Sequence, residues 1–317
     1  MLNGFLEVGR DESIRQAALP NYRQADWALE HFREFNRLDT EYRAFVGWRR
    51  ASFAGETIVI EGPFGERRTP LPTEAAEPSV YFFGGSAMWG TGARDQDTIP
   101  ALYAAATNRV ARNFGESAYI AHQNLEMLLW LLQSGARPSA VVFYDGVNDV
   151  LQKCRRGHNL FSHAQEGRIA DRMNVDYDSL RYFAIPLLQT LPGEADVLGS
   201  DCDDDPAKAR AVAQSLLLDW ETARAVAEAH GIRFYAVLQP VIYLSETRRD
   251  HLRAAVPEGR RRQFDAVYPL VRAELAARRF ADFTAMLNRD EYIYIDIVHV
   301  SPNGNALIAQ ALAELVD

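Results

Sequence analysis

Short apolar runs alternating with long helical patterns restrict this chain more than any other feature. Val80-Tyr81-Phe82-Phe83, Ala140-Val141-Val142-Phe143-Tyr144 and Ile232-Arg233-Phe234-Tyr235-Ala236-Val237-Leu238 are compact and rich in β-branched and aromatic residues. Such runs read as strands buried on both faces. A further short strand is expected over Arg109 to Phe114. Between them the spacing predicts one helix from near Thr98, with Pro100 in its first turn, and another over Tyr119 to Ser134, with Ser117 as candidate N-cap and Gly135 as its stop. A long helix follows from Pro206 to His230, and a last one from Asn303 to Leu315. Proline is tolerated in a first turn because the N–H it lacks has no intrahelical acceptor there. The alternation predicts an α/β fold, a three-layer sandwich with a central parallel sheet and helices on both faces.

Residues 1–75 do not share this pattern and read as a small N-terminal extension, leaving 76–317 as the main domain. Trp27, Leu29, Phe32 and Phe35 predict an amphipathic helix within Ala25 to Phe35. Phe45-Val46-Gly47-Trp48 and Thr57-Ile58-Val59-Ile60 read as short strands, with turns at Gly55, Gly62-Pro63 and Gly65, and Pro70, Pro72 and Pro78 mark a linker. Trp48, Arg49 and Arg50 either reach a ligand or serve packing and surface charge, the second being the commoner fate of such residues. An insertion is expected at about 150–205, apolar near Tyr182, Phe183, Ile185, Leu187 and Leu188. It and Tyr243 to Pro257 are candidate lids.

The chemistry is concentrated at the expected strand ends. Ser86 follows the first strand in Gly84-Gly85-Ser86, and Asp296-Ile297-Val298-His299 lies just before the last helix. A serine hydroxyl needs an adjacent imidazole to take its proton, and that imidazole needs its tautomer fixed. An Asp three residues before a His on a tight turn meets the second requirement. Asn113-Phe114-Gly115 and Tyr144-Asp145-Gly146-Val147-Asn148-Asp149 end two other strands. Loops beyond the carboxyl ends of a parallel sheet converge on one crevice. The Ser86 and Gly115 N–H groups and the Asn148 amide are therefore candidate donors to one oxyanion. Asp145 and Asp149 read as hydrogen-bonding groups of the turn, Met88 and Trp89 as lining or underlying the pocket, and His122 as a satisfied core histidine.

The blocks GGSxxxG, NxG, GxND and DxxH, the last followed by Ser301-Pro302-Asn303-Gly304, resemble the SGNH hydrolase superfamily, or GDSL esterases and lipases, over roughly residues 79 to 315. That resemblance implies an SGNH/flavodoxin-like sheet and a serine esterase acting through an acyl-enzyme. It gives Ser86, Asp296 and His299 as the catalytic triad and Ser86, Gly115 and Asn148 as the oxyanion hole. The substrate it implies is a small-molecule or carbohydrate ester, such as an O-acetyl ester. Acyl transfer to a sugar or other alcohol, and a non-catalytic carbohydrate-binding or scaffold protein, are the alternatives. Gly85 stands where the family usually carries Asp, and Ala87-Met88 replaces its Leu-containing continuation.

Composition excludes several other classes. With 317 residues, 48% hydrophobic and 24% charged, the chain is long enough for a sizeable core. A net charge of -9 argues against a nucleic-acid partner, and Arg260-Arg261-Arg262 reads as a solvated helix start. Cys154, His158 and His163 approach a metal-ligand spacing but lack a fourth ligand, so neither metal nor other cofactor is expected. Asp201, Asp203, Asp204 and Asp205 lack the Gly and Glu of a calcium loop and complement the helix start at Pro206. Cys154 and Cys202 read as two unpaired thiols. No apolar run is long enough for a membrane span, and no leader is visible in the opening residues, so a cytoplasmic location is expected for the chain as written, with export by a removed leader or anchor as the alternative.

Overall fold

The computed structural model describes residues 12–71, 76–160, 163, 166 and 199–316. Five strands form the parallel core of the sheet: β6 (Ala76–Gly84), β7 (Arg109–Asn113), β8 (Ala140–Asp145), β9 (Arg233–Leu238) and β10 (Ala281–Asp282). Their spatial order is β10-β9-β8-β6-β7. Connections therefore run outward in one direction from β6 and in the other from β8, and the crevice at such a reversal is where ligands bind in open α/β sheets. Ser86 follows β6 and Asn148 follows β8, so the two flank the reversal.

Helices cover both faces. α3 (Ile99–Thr107) packs with α8 (Pro302–Val316), while α6 (Pro206–Ala229) packs with both α4 (Ala121–Gln133) and α7 (Glu258–Arg278). Thr98 caps α3 by accepting from the Ala101 N–H, and Asp205 caps α6 by accepting from Ala207 and Lys208. The acidic run before Pro206 thus serves the helix start, and Asp203 binds Arg262 and Gln263. α4 is capped differently from expectation. Its N-cap is Ile120, with the Gln123 side chain accepting from the Ile120 N–H, and Ser117 instead accepts a bond from Arg50.

The N-terminal residues add to the main sheet. After α1 (Ala28–Phe35), β1 (Thr40–Arg43) and β2 (Gly47–Arg50) form a separate hairpin. β3 (Phe53–Ala54), β4 (Val59–Glu61) and β5 (Glu66–Arg67) then extend the sheet antiparallel from the β7 edge, at Arg67 beside Asn113. The strand expected at Phe45–Trp48 is corrected to a turn entering β2, with Phe45 at φ 70. Pro78, expected in a linker, lies within β6. Arg49 donates to the carbonyls of Gly65 and Phe114, and Arg50 pairs with Glu116, all buried. Both arginines are packing residues, and neither reaches outward for a ligand.

The expectation of two unpaired thiols is overturned. Cys154, the C-cap of α5 (Val147–Lys153), is disulfide-bonded to Cys202, just before α6, across 48 residues. The two residues lie where the insertion leaves and rejoins the sheet-and-helix frame, which is what brings them together. Most of that insertion, including the apolar stretch near Tyr182, lies outside the described residues. Closing a loop of this length restricts the unfolded chain and contributes about 2–4 kcal/mol. Cys202→Ser is expected to lower unfolding free energy by that amount in urea titrations, and reductant is expected to do the same to the wild type.

Candidate active site

Ser86 opens α2 (Ser86–Trp89), a single helical turn set directly on the end of β6. Residues 79–85 and 87–90 are buried, whereas Ser86 is partly exposed, so the turn is packed and its first side chain faces outward. Two glycines make this placement possible. A Cβ on Gly115 would lie 2.5 Å from the Trp89 amide nitrogen, so only Gly lets the loop after β7 approach α2 so closely. A Cβ on Gly85 would lie 2.2 Å from Asn148 Nδ2. The Asn148 amide fills that space, so a side chain at position 85 would displace it.

The residues expected at opposite ends of the chain meet. Ser86 Oγ lies 2.6 Å from His299 Nε2, and His299 Nδ1 lies 2.5 Å from Asp296 Oδ2. Asp296 Oδ1 accepts from the backbone N–H groups of Val298, at 2.8 Å, and His299, at 2.7 Å. The DxxH spacing therefore forms a turn closed by its own carboxylate. Burial alone would raise the Asp296 carboxyl, but His299 beside it and the hydrogen bonds it accepts hold it below the usual carboxylate range. An ionised Asp296 keeps the Nδ1 proton in place and leaves Nε2 to accept from Ser86.

Two of the expected oxyanion donors, Asn148 and Gly115, lie against residues beside Ser86 and are bonded differently. Asn148 Nδ2 donates to the Tyr119 carbonyl at 2.8 Å, so the amide is held against Gly85. The Gly115 N–H donates to Asn113 Oδ1 at 3.0 Å. Asn113 in turn donates from Nδ2 to the carbonyls of Met88 and Trp89, tying the Gly115 loop to α2. Met88 and Trp89 are fully buried beneath the site.

The charged residues around Asn148 are structural. Asp145 accepts from Asn124 at 2.7 Å and from the Trp220 indole at 3.0 Å; burial, reinforced by Asp149, pushes its carboxyl well above the usual range. Asp149 is buried against Lys153, 2.9 Å away, which also donates to Ser215. His122 is half-buried and bonds Asp219 at 2.9 Å, a bond that raises its pKa. It is satisfied, as expected, but on the flank of α4 and not in the core. Cys154 carries no thiol for a metal, and among the described residues no group of three or more His, Cys, Asp or Glu is disposed to hold one. Of the expected lids, Tyr243 to Pro257 is tied to the segment ahead of Asp296: Thr247 Oγ1 and the Arg248 N–H both donate to the Glu291 carbonyl.

Three residues escaped the sequence reading. Asn113 lay inside a quoted block without a role. Arg67, fully buried, donates to the carbonyls of Trp89, Gly90 and Ala93. Tyr22 donates to the Gly92 carbonyl at 2.7 Å, and burial, with Asp296 nearby, raises its phenol so that it stays a donor. Arg67 and Tyr22 belong to no motif, and no periodicity marks them. Gly115→Ala is expected to force α2 to shift, lowering stability by about 1–3 kcal/mol as overpacking does, measurable as a lower midpoint in thermal unfolding.

No family model matches the chain, and no curated protein does. Among solved structures the chain is similar to a carbohydrate acetylesterase family member from Sinorhizobium meliloti, at 15% identity and TM-score 0.43, covering 76% of this chain and 97% of that one. An inhibitor-bound aryl esterase of M. smegmatis is similar at 14% identity and TM-score 0.43, covering 76% and 98%. A member of the lipolytic protein G-D-S-L family from Veillonella parvula is similar at 14% identity and TM-score 0.43, covering 75% and 97%. The order of its GGSxxxG, NxG, GxND and DxxH blocks is what resembles the SGNH hydrolases.

Proposed function

We propose that this chain is a carboxylic ester hydrolase of the SGNH type that works through an acyl-enzyme on Ser86. The observation that carries the reading is the unbroken line of hydrogen bonds from Ser86 Oγ through His299 to Asp296. His299 Nε2 takes the Ser86 proton as Oγ attacks the ester carbonyl, giving a tetrahedral intermediate. The intermediate collapses as the imidazolium returns that proton to the leaving alcohol. Water, deprotonated by the same nitrogen, then attacks the acyl-enzyme, and the acid leaves as the acyl–Oγ bond breaks and the imidazolium returns the proton to Ser86 Oγ. Asp296 stabilises the imidazolium in both halves of the cycle.

The developing oxyanion is met by three donors. The Ser86 N–H is at the first position of its turn, where a helix offers no backbone acceptor. An amide NH2 carries two hydrogens, so the Tyr119 bond leaves Asn148 one to give. Gly115 contributes by sharing its hydrogen between Asn113 Oδ1 and the oxyanion, a three-centre bond.

The disulfide supports a working compartment that is oxidising, in place of the cytoplasm expected from the sequence. No helix among the described residues is long and apolar enough to cross a membrane.

The test is turnover of p-nitrophenyl esters from acetate to long chains, and of acetylated sugars, with mass spectrometry after a fluorophosphonate. Wild type is expected to hydrolyse short esters and gain one adduct on Ser86, and Ser86→Ala to do neither. Ligand binding without turnover or adduct, unchanged in Ser86→Ala, would point to a binding protein and reject the proposal. Asn148→Ala is expected to lower kcat about 100- to 1,000-fold, the usual cost of one oxyanion donor.

The pH profile follows from Asp296. Because its folded pKa is depressed, the stability it contributes is present above its unfolded value and lost only as pH falls through the lower folded one. Asp296 is thus ionised throughout the range in which an imidazole titrates. Activity is expected to fall on acidification with the slope of no more than one proton, because Asp296 contributes no second one, and a slope of two would contradict this.

A further inference from the structure

The nucleophile and the base come from segments 213 residues apart, yet they sit at hydrogen-bond distance. Backbone pairing within the parallel sheet fixes β6 but not residues 288–299, an irregular stretch after β10 whose Ile297 carbonyl accepts from the Ile242 N–H at 3.2 Å, a bond to the segment after β9 and not to the nucleophile loop. Something must hold that stretch against the nucleophile loop.

The N-terminal segment touches both. On the nucleophile side, the Arg67 guanidinium donates to Trp89 O at 3.1 Å, Gly90 O at 2.8 Å and Ala93 O at 2.6 Å, and lies 4.2 Å over the Trp89 ring. Its Nε donates to Asp95 at 3.1 Å. Trp89, Gly90, Ala93 and Asp95 are thereby tied to one side chain. Arg50 lies 4.0 Å from the same indole ring, and Phe35 of α1 packs on it at 5.8 Å. On the base side, Tyr22, Ala28 and Phe32 form one buried cluster with Ile295, the residue before Asp296. Asn21 Nδ2 donates to the carbonyls of Tyr292 and Tyr294. The two sides join at Gly92. Its carbonyl accepts from Tyr22, and the space beside its Cα is filled by Ile295 Cδ1 and the Tyr22 hydroxyl.

From this we infer that Tyr22 and Arg67 are positioning residues of the hydrolase, holding the Ser86 turn and the Asp296–His299 turn at bonding distance through the loop 89–95. The inference rests on the proposed serine mechanism. Neither residue touches the reacting atoms; each acts on Ser86 or His299 through the loop. A displacement of about 1 Å between base and nucleophile is enough to cost on the order of 100-fold in rate.

The experiment compares wild type, Tyr22→Phe, Arg67→Lys and Arg67→Met in the full chain. The readouts are kcat and KM on p-nitrophenyl acetate, the rate of Ser86 labelling by a fluorophosphonate, and thermal unfolding. Tyr22→Phe is expected to lose about 10-fold in kcat and in labelling rate, with KM within twofold, at temperatures where the variant is fully folded. Arg67→Met is expected to lose more, about 100-fold, and Arg67→Lys to recover part of that loss. Arg68 also bonds Asp95, at 3.0 Å, so Asp95 keeps a partner in the Arg67 variants. If Arg67→Met fails to fold, Tyr22→Phe decides alone. Folded variants whose kcat and labelling rate stay within twofold of wild type would overturn the inference while leaving the serine mechanism intact. A wild type that neither turns over esters nor labels at Ser86 would instead overturn the mechanism on which it rests.

Discussion

Everything at the site depends on one short hydrogen bond between groups that enter from distant parts of the chain. A proton moves from Ser86 to His299 only if Oγ and Nε2 are already in place, and 213 residues separate them. The parallel sheet solves half of this problem. By ending β6 and β8 side by side at the reversal of strand order, it delivers Ser86 and Asn148 to one crevice, with Gly115 arriving from β7 next door. The other half is solved by packing, because the DxxH turn lies in an irregular segment with no strand to register it.

That packing is unusually polar. Arg67–Asp95, Arg50–Glu116 and Lys153–Asp149 are ion pairs with little or no exposure, all within a few residues of the site or beneath it. Buried pairs of this kind add little net stability over apolar substitutes, since desolvation offsets their attraction. What they provide is direction: a guanidinium with five fixed donors places three carbonyls at once, which a leucine cannot do. Removing one partner of a buried pair typically costs about 3–5 kcal/mol where the other is left charged without a second partner; Asp95 and Lys153 each have one, in Arg68 and Asp219. The chain thus trades economical packing for defined geometry where geometry controls the chemistry.

The strands and helices of the sheet were readable because each carries a continuous apolar run or a helical period that does not depend on its neighbours. Ser86, His299 and Asp296 were readable because DxxH closes its own turn and GGS sits at a strand end. Tyr22 and Arg67 were not. Their partners are backbone carbonyls, which have no sequence signature, and 20 to 70 residues separate donor from acceptor. The turn at Phe45 escaped for a related reason, since an apolar residue at positive φ gives the composition of a strand. The cysteine pair failed through arithmetic: two cysteines 48 residues apart have no diagnostic spacing, and only the folded frame shows that the ends of the insertion meet.

The meeting of those ends matters beyond stability. Cys154 and Cys202 hold their Cα atoms 5.3 Å apart, at the C-cap of the helix that carries Asn148. Whatever chain runs between them begins and ends at the same fixed point. Lengthening such a loop twofold costs only about 0.6 kcal/mol in closure entropy. A change of length in that segment is therefore absorbed at the disulfide, and the helix that carries Asn148 keeps its place.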